Sequence, residues 1–80
     1  MGNYTIIYMD NDGYEYFDFD SISDAEQYIN EDLREVEKEF KAKHKDNYDI
    51  TEYGNEYGGT TTEIWSYDHH DSYSWTRTYR

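Results

Sequence analysis

Two rhythms of apolar and polar residues divide the chain. Residues 4–9, YTIIYM, and 14–19, YEYFDF, set β-branched and aromatic side chains at the two-residue alternation of strands. The spacing then lengthens: Ala25, Ile29, Leu33, Val36 and Phe40 recur every three or four residues, an apolar stripe on an otherwise charged helix predicted over about 24–44. Alternation returns in 48–53 (YDITEY), 60–68 (TTTEIWSYD) and 73–79 (YSWTRTY), separated by a Gly-rich turn at 54–59 and the polar turn HHDS at 69–72. Neighbouring strands joined by short turns pair antiparallel. The order ββαβββ therefore predicts one α+β domain over residues 1–80, an antiparallel β-sheet with one helix packed on one face.

The first turn decides which face each hairpin residue occupies, because a one-residue slip exchanges the two faces. DNDG at 10–13 has Asp first and Gly fourth, the chemistry of a type I turn ending in a left-handed glycine, so a three-residue loop is expected at 11–13. That register sets Tyr8 opposite Tyr16 and Ile7 opposite Phe17. Thr5, Ile7, Phe17 and Phe19 then face the core, while Tyr4, Tyr8, Asp10, Tyr14, Tyr16, Asp18 and Asp20 face away. The competing two-residue turn, Asp12-Gly13, pairs Tyr8 with Phe17 and buries Ile6. For the helix start, Ser23 with Glu26 fits a capping box, and Ser21 with Asp24 is a competing frame. Acids crowd the start of the helix and lysines its end, and Glu37–Lys41 and Glu39–Lys43 are favourable i, i+4 pairs. Trp65 shares a strand face with Glu63 and Tyr67, opposite Ile64, and the pattern leaves open which of those faces is wet.

Composition adds a tension. Leu, Ile, Val and Phe total eleven residues against a net charge of −12, a balance typical of disorder. Eleven Tyr and two Trp offset it, since each buried ring removes roughly 150–250 Å² from water. An aromatic core is the expectation. Cysteine is absent, which removes disulfides and thiolate metal sites and fits a cytoplasmic home. No apolar run approaches the roughly 20 residues of a membrane span, and the N-terminus lacks the pattern of a signal peptide.

The charge is also segregated. Residues 1–33 carry nine acids and no Lys or Arg, and residues 46–76 carry seven acids and again no base. Five of the seven basic residues, Arg34, Lys38, Lys41, Lys43 and Lys45, fall in one twelve-residue stretch, and Arg77 and Arg80 end the chain. Direct binding to nucleic-acid phosphates or to an anionic membrane is disfavoured, since both need Lys and Arg on the binding surface. A basic protein is the natural complement.

Motifs for chemistry are wanting. Counting back from Gly13 as the sixth position of a calcium loop puts Tyr8 first and Phe19 twelfth, where acids are required. The HHD run at 69–71 points adjacent histidines to opposite faces, with His44 remote in sequence, so a polar turn outweighs a zinc site. Paired carboxylates occur by chance among nineteen acids, and no nucleophile elbow, zinc-protease motif, P-loop or dinucleotide fingerprint is present. The expectation is a non-enzymatic protein with no cofactor and no metal. Aromatic stacking on single-stranded nucleic acid requires a positively charged groove, and these strands are acidic.

What remains is a protein-interaction surface in which tyrosines supply contact area and carboxylates steer a basic partner. The candidates are Asp10, Asp12, Asp18 and Asp20 as electrostatic contacts and Tyr8, Tyr14 and Tyr16 as packing contacts, with Glu52, Tyr53, Glu56 and Tyr57 as a second patch. In length, acidity, lack of cysteine and the Tyr/Asp/Asn-rich strands of NYTIIYMDNDGYEYFDFD, the chain resembles small phage-encoded inhibitors: anti-CRISPR proteins, anti-restriction DNA mimics and inhibitors of DNA-repair glycosylases. The resemblance is compositional, spans the whole chain and carries over no residue roles. It implies occupation of the positively charged nucleic-acid site of a host defence nuclease, in the host cytoplasm. The basic helix end, Lys38 to Lys45, departs from a uniformly acidic mimic. The alternative is an assembly module that forms a homodimer through its tyrosine face, and a low-affinity cation-binding protein is a third reading.

Overall fold

A computed structural model describes residues 4–79. Strand β1 (Tyr4–Asp10) turns into β2 (Gly13–Phe19), helix α1 (Ile22–His44) follows, and β3 (Tyr48–Gly54), β4 (Thr60–Ser66) and β5 (Ser72–Arg77) complete the chain. The sheet order is β2-β1-β5-β4-β3 with every neighbouring pair antiparallel, and α1 covers one face, the α+β arrangement expected from the alternation. The last strand closes the sheet. β5 lies between β1 and β4 and joins the N-terminal hairpin to the C-terminal meander.

The helix begins one frame earlier than the Ser23–Glu26 box. Ser21, in an extended conformation, accepts a hydrogen bond from the Asp24 amide at 3.1 Å. Glu26 is not available as the reciprocal cap because its carboxylate is held by Arg77. At the other end the Lys45 amide donates to the Lys41 carbonyl at 3.1 Å, with Lys45 itself at a positive φ of 57°. Ala25, Ile29, Val36 and Phe40 are buried and Leu33 packs against them, so the stripe read from the sequence is the face laid on the sheet.

The hairpin register differs from both frames considered for it. Asp10 pairs with Gly13, which leaves Asn11 and Asp12 as a two-residue loop and sets Ile6 opposite Phe17 and Tyr8 opposite Glu15. Side chains fix this turn: the Asp10 carboxylate accepts from the amides of Asp12 and Gly13 at 2.8 and 3.1 Å. Asn11 reaches away to donate to the His70 carbonyl and accept from the Ser72 amide. The first strand therefore presents the opposite face from the one expected. Ile6 is fully buried, Tyr4 and Tyr8 pack against the core, and Thr5, Ile7 and Met9 lie on the uncovered face. The second strand keeps its expected faces, with Phe17 and Phe19 against Tyr28 of the helix. Consecutive isoleucines at 6 and 7 make the alternation degenerate, and packing of the Tyr8 ring against Trp75 and Tyr73 accompanies the choice.

The core is aromatic, as the composition requires. Trp75 at the centre of the sheet is fully buried with Ile6 and Ile64, and Phe40 meets the rings of Tyr48, Tyr73 and His44. Ile64 inward settles the fourth strand: Glu63 and Trp65 belong to the uncovered face.

Several polar pins hold the helix across the sheet, among them the Tyr48 hydroxyl of β3, which donates to Glu37 at 2.8 Å. Near its start, Arg77 of β5 makes a two-pronged bond to Glu26, Nε to Oε2 at 2.7 Å and Nη2 to Oε1 at 2.9 Å, and the Tyr79 hydroxyl donates to the same carboxylate. Midway, the buried indole of Trp75 donates to Asp32 at 2.9 Å. At the end, Asp71 receives His44 at 2.6 Å and Lys43 at 2.9 Å. The hydrogen bonds from Arg77 hold the Glu26 carboxyl below its ordinary range, and those from Lys43 and His44 do the same for Asp71.

Two expectations test this packing. A Cβ at Gly59 would lie 2.5 Å from the Arg77 carbonyl oxygen and 2.6 Å from that of Tyr79, whereas one at Gly54 meets nothing within 4 Å. Gly59→Ala should lower the free energy of urea unfolding by about 1–3 kcal/mol, and Gly54→Ala should leave it unchanged or raise it by up to about 1 kcal/mol.

The second concerns acid. Glu26 has a depressed folded-state pKa, so its contribution is complete above the unfolded value of about 4.3 and is lost as pH falls through the folded one. Acid also relieves the self-repulsion of a chain with net charge −12, so the total stability mixes opposing effects. The difference between wild type and Glu26→Gln cancels the general relief. It should be largest near pH 6 and shrink steadily toward pH 3 in thermal unfolding; a difference independent of pH would show that the carboxylate charge contributes nothing.

Candidate protein-interaction face

Ladder pairing arranges the uncovered face as a grid. One cross-strand row runs Tyr16, Ile7, Thr76, Thr61 and Tyr53 from β2 to β3, and the next runs Tyr14, Met9, Ser74, Glu63 and Thr51. Beyond the second row lie Ser72, Trp65 and Asp49. Asp18 sits at the opposite end and accepts from the Thr5 hydroxyl at 2.5 Å. Around the first row the tall residues stand on the two edge strands with Ile7, Thr76 and Thr61 between them, while Glu63 and Trp65 of β4 stand farther along the face.

The result is a trough of about 500 Å³, lined by Ile7, Met9, Tyr14, Tyr16, Tyr53, Asn55, Glu56, Tyr57, Thr61 and Thr76. Tyr14 and Tyr16 form one wall, 62% and 61% exposed, with their rings edge to face at 5.5 Å. Tyr53 and Tyr57 form the other, 49% and 44% exposed. Residues separated by some forty positions in the sequence thus share one concavity.

On the second wall Tyr53 is held by the β3–β4 ladder, and the Asn55 side chain ties down the turn that carries Tyr57. Asn55 Oδ1 accepts from the amides of Tyr57 and Gly59 at 2.9 and 3.2 Å, and its Nδ2 donates to the Arg77 carbonyl at 2.9 Å and toward Thr61 Oγ1 at 3.3 Å. The turn that carries Glu56 and Tyr57 is therefore bolted to the centre of the sheet.

Not every candidate belongs here. Tyr14, Tyr16, Tyr53, Glu56 and Tyr57 line the trough, and Asp18 shares its face. Asp12 is exposed at the hairpin tip and Asp20 in the bend before the helix, both outside the trough. Tyr8 is turned to the helix side, where burial and the nearby Asp10 raise its pKa. Asp10 spends its carboxylate on the turn. Glu52 lies on the helix side too: it accepts from Thr62 Oγ1 at 3.1 Å and faces Arg77 at 3.4 Å. Ile7, Met9, Thr61 and Thr76 were missed because their faces followed from pairings that alternation alone did not fix.

The electrostatics of the face are one-sided. Arg34, Lys38, Lys41 and Lys43 ride on α1, Lys45 follows it, and Arg77 is buried on the helix side of the sheet. Among the described residues no Lys or Arg lies on the uncovered face, which carries Asp18, Asp49, Glu56 and Glu63.

The histidines have structural partners. His69 stacks on Trp65 with ring planes 3° apart, and His44, remote in sequence, reaches Asp71. No group of three or more His, Asp or Glu among the described residues is arranged to hold a metal ion. Among the same residues no helix is long and apolar enough to cross a membrane. No family model matches the chain, and neither curated proteins nor solved structures include a significant match.

Asn55→Ala should remove the bolt. Loss of its partly buried hydrogen bonds is expected to cost about 1–3 kcal/mol of folding stability. Amide exchange should accelerate at Tyr57 and Gly59, whose N–H groups it accepts, while the β1–β2 hairpin keeps its protection.

Proposed function

We propose that the protein is a non-enzymatic acidic inhibitor that occupies the positively charged nucleic-acid site of a host defence nuclease, in the manner of an anti-CRISPR protein or another phage anti-defence protein. The observation that carries this reading is the union of two distant tyrosine patches into one trough on a face with acids and, among the described residues, no bases. Tyrosine offers large, rigid contact area at small entropic cost, and it is enriched among the residues that dominate interface energies. Exposed apolar and aromatic surface gathered in one concavity is the usual mark of a contact surface.

The carboxylates supply the other half. Asp18, Glu56, Glu63 and Asp49 surround the tyrosines with negative charge that a nucleic-acid-binding site is built to attract. Their field also opposes pairing of two copies face to face, which weighs against the assembly-module alternative. The lysines of the helix lie on the opposite side of the molecule and do not oppose such docking.

Competition tests the proposal. The protein should displace labelled DNA or RNA from a susceptible basic nuclease, and its affinity should fall steeply as salt rises from about 0.05 to 0.5 M, where the screening length shrinks to a few ångströms. Asp18→Asn combined with Glu63→Gln should slow association with little effect on thermal unfolding. A tight homodimer in sedimentation that buries Tyr14, Tyr16 and Tyr53 would assign the face to self-assembly instead.

A further inference from the structure

We infer that the trough receives an α-helix of the basic partner, lying along the strands between the two tyrosine walls. This deepens the inhibitor reading and rests on it, because it names the element of the partner that the face accepts.

Hydrogen bonding on the sheet comes first. Each strand's backbone groups point sideways into the ladders, so the uncovered face recognises side chains and offers no backbone partners. A segment lying over it must satisfy its own N–H and C=O groups, as a helix does. An extended peptide would instead pair along β2 or β3 at the sheet edge and leave the trough empty.

Shape gives the second argument. β2 and β3 are four strand spacings apart, about 19 Å at 4.7–4.9 Å each. Tyrosines of both edges line the same trough, which leaves less than that span between them, and a helix with its side chains is about 10–12 Å across. The floor is suited to such contact: Thr61, Ser74 and Thr76 are short, and Ile7 and Met9 supply apolar surface beside them. The molecule's own helix already packs on the other side of the same sheet, through an apolar stripe laid against Ile6, Ile64 and Trp75.

Charge sets the direction. Glu56 lines the trough and Asp18 shares its end of the face, whereas Glu63 and Asp49 lie past the trough toward the other end of the face, beside Trp65. Three two-residue steps along a strand cover about 20 Å, the length of roughly 13 helical residues. The fitting partner is an amphipathic helix with a small apolar face and Lys or Arg on its flanks at both ends. A second copy offers no such helix: on α1 the bases Arg34, Lys38 and Lys41 alternate with Glu31, Glu35 and Glu39.

The experiment uses two synthetic peptides of about 14 residues, a length that spans the trough when helical. One carries Leu at helical spacing with Arg at both ends; the other differs by two central Ala→Pro changes that break the helix at equal charge. The helical peptide should bind at least about tenfold tighter, since interior proline is severely disruptive to a helix. Amide shifts should appear at Ile7, Met9, Thr61, Ser74 and Thr76. Tyr16→Ala with Tyr53→Ala, both exposed positions, should abolish the preference while the protein still unfolds cooperatively.

Equal affinity for the two peptides, or shifts confined to α1, would overturn the helix while leaving the acidic inhibitor to be judged by the nucleic-acid competition above. Absence of binding by both would overturn it as well. Concentration-dependent shifts at the trough in the free protein would assign it to a second copy and overturn the proposal.

Discussion

Arg77 is the buried charge on which the sheet, the helix and the β3–β4 turn converge. The residue is 9% exposed, and its guanidinium spans from Glu26 on α1 to Thr62 and Thr60 on β4, with Glu52 of β3 at 3.4 Å. Taking such an ion out of water costs several kcal/mol unless its donors are met, and here carboxylate and hydroxyl oxygens meet them. The constraint is topological as well as energetic. The partners come from a helix near the start of the chain and from two strands beyond it, so the arginine is satisfied only when β5 lies beside β4 with α1 packed over the sheet. A buried pair of this kind is weak evidence for net stability, but it strongly penalises a β5 in the wrong register, which would leave one charge buried alone.

The same arrangement shapes the surface. Arg77 is the one base that β1–β5 carry, and it is consumed on the covered side, leaving the uncovered side to carboxylates and tyrosines. The Arg77 carbonyl also takes part on that side: it receives the Asn55 side chain that bolts down the loop of Tyr57 and lies 2.5 Å from where a Cβ on Gly59 would sit. Core and candidate interface are thus joined through one residue, its side chain facing the helix and its backbone supporting the trough.

What the sequence discloses follows from how far apart the deciding contacts lie. The helix stripe, five strands and the ββαβββ order rest on local periodicity, and they were legible. The face of β1 was not, because Ile6-Ile7 offers equal apolar side chains to either side, and the tie is broken by an Asp10 cap and by rings of β5 more than sixty residues away. Glu52 shows the same limit. Its place in an acidic, tyrosine-containing run suggested a contact residue, yet strand parity and Arg77 turn it to the helix side. Tyr14, Tyr16, Tyr53 and Tyr57 were legible as a surplus of aromatic residues; that they share one trough depends on the sheet order, which puts β2 and β3 at opposite edges.

Tyrosines left on the surface of an 80-residue protein carry a hazard, and the charge pattern answers it. Exposed aromatic surface beside two open sheet edges favours association with any similar chain. Glu15 and Asp18 on β2, and Asp49 and Glu52 on β3, place carboxylates along both edges. Glu56 and Glu63 add charge to the face between them. A neighbour of the same composition meets like charge at every approach to the tyrosines, whereas a basic surface meets attraction at the same places. One set of carboxylates therefore has two electrostatic effects at the trough, repulsion of a like copy and attraction of any surface of opposite charge. The two cannot be tuned independently: removing an acid to lessen repulsion between copies also lessens attraction toward a basic surface.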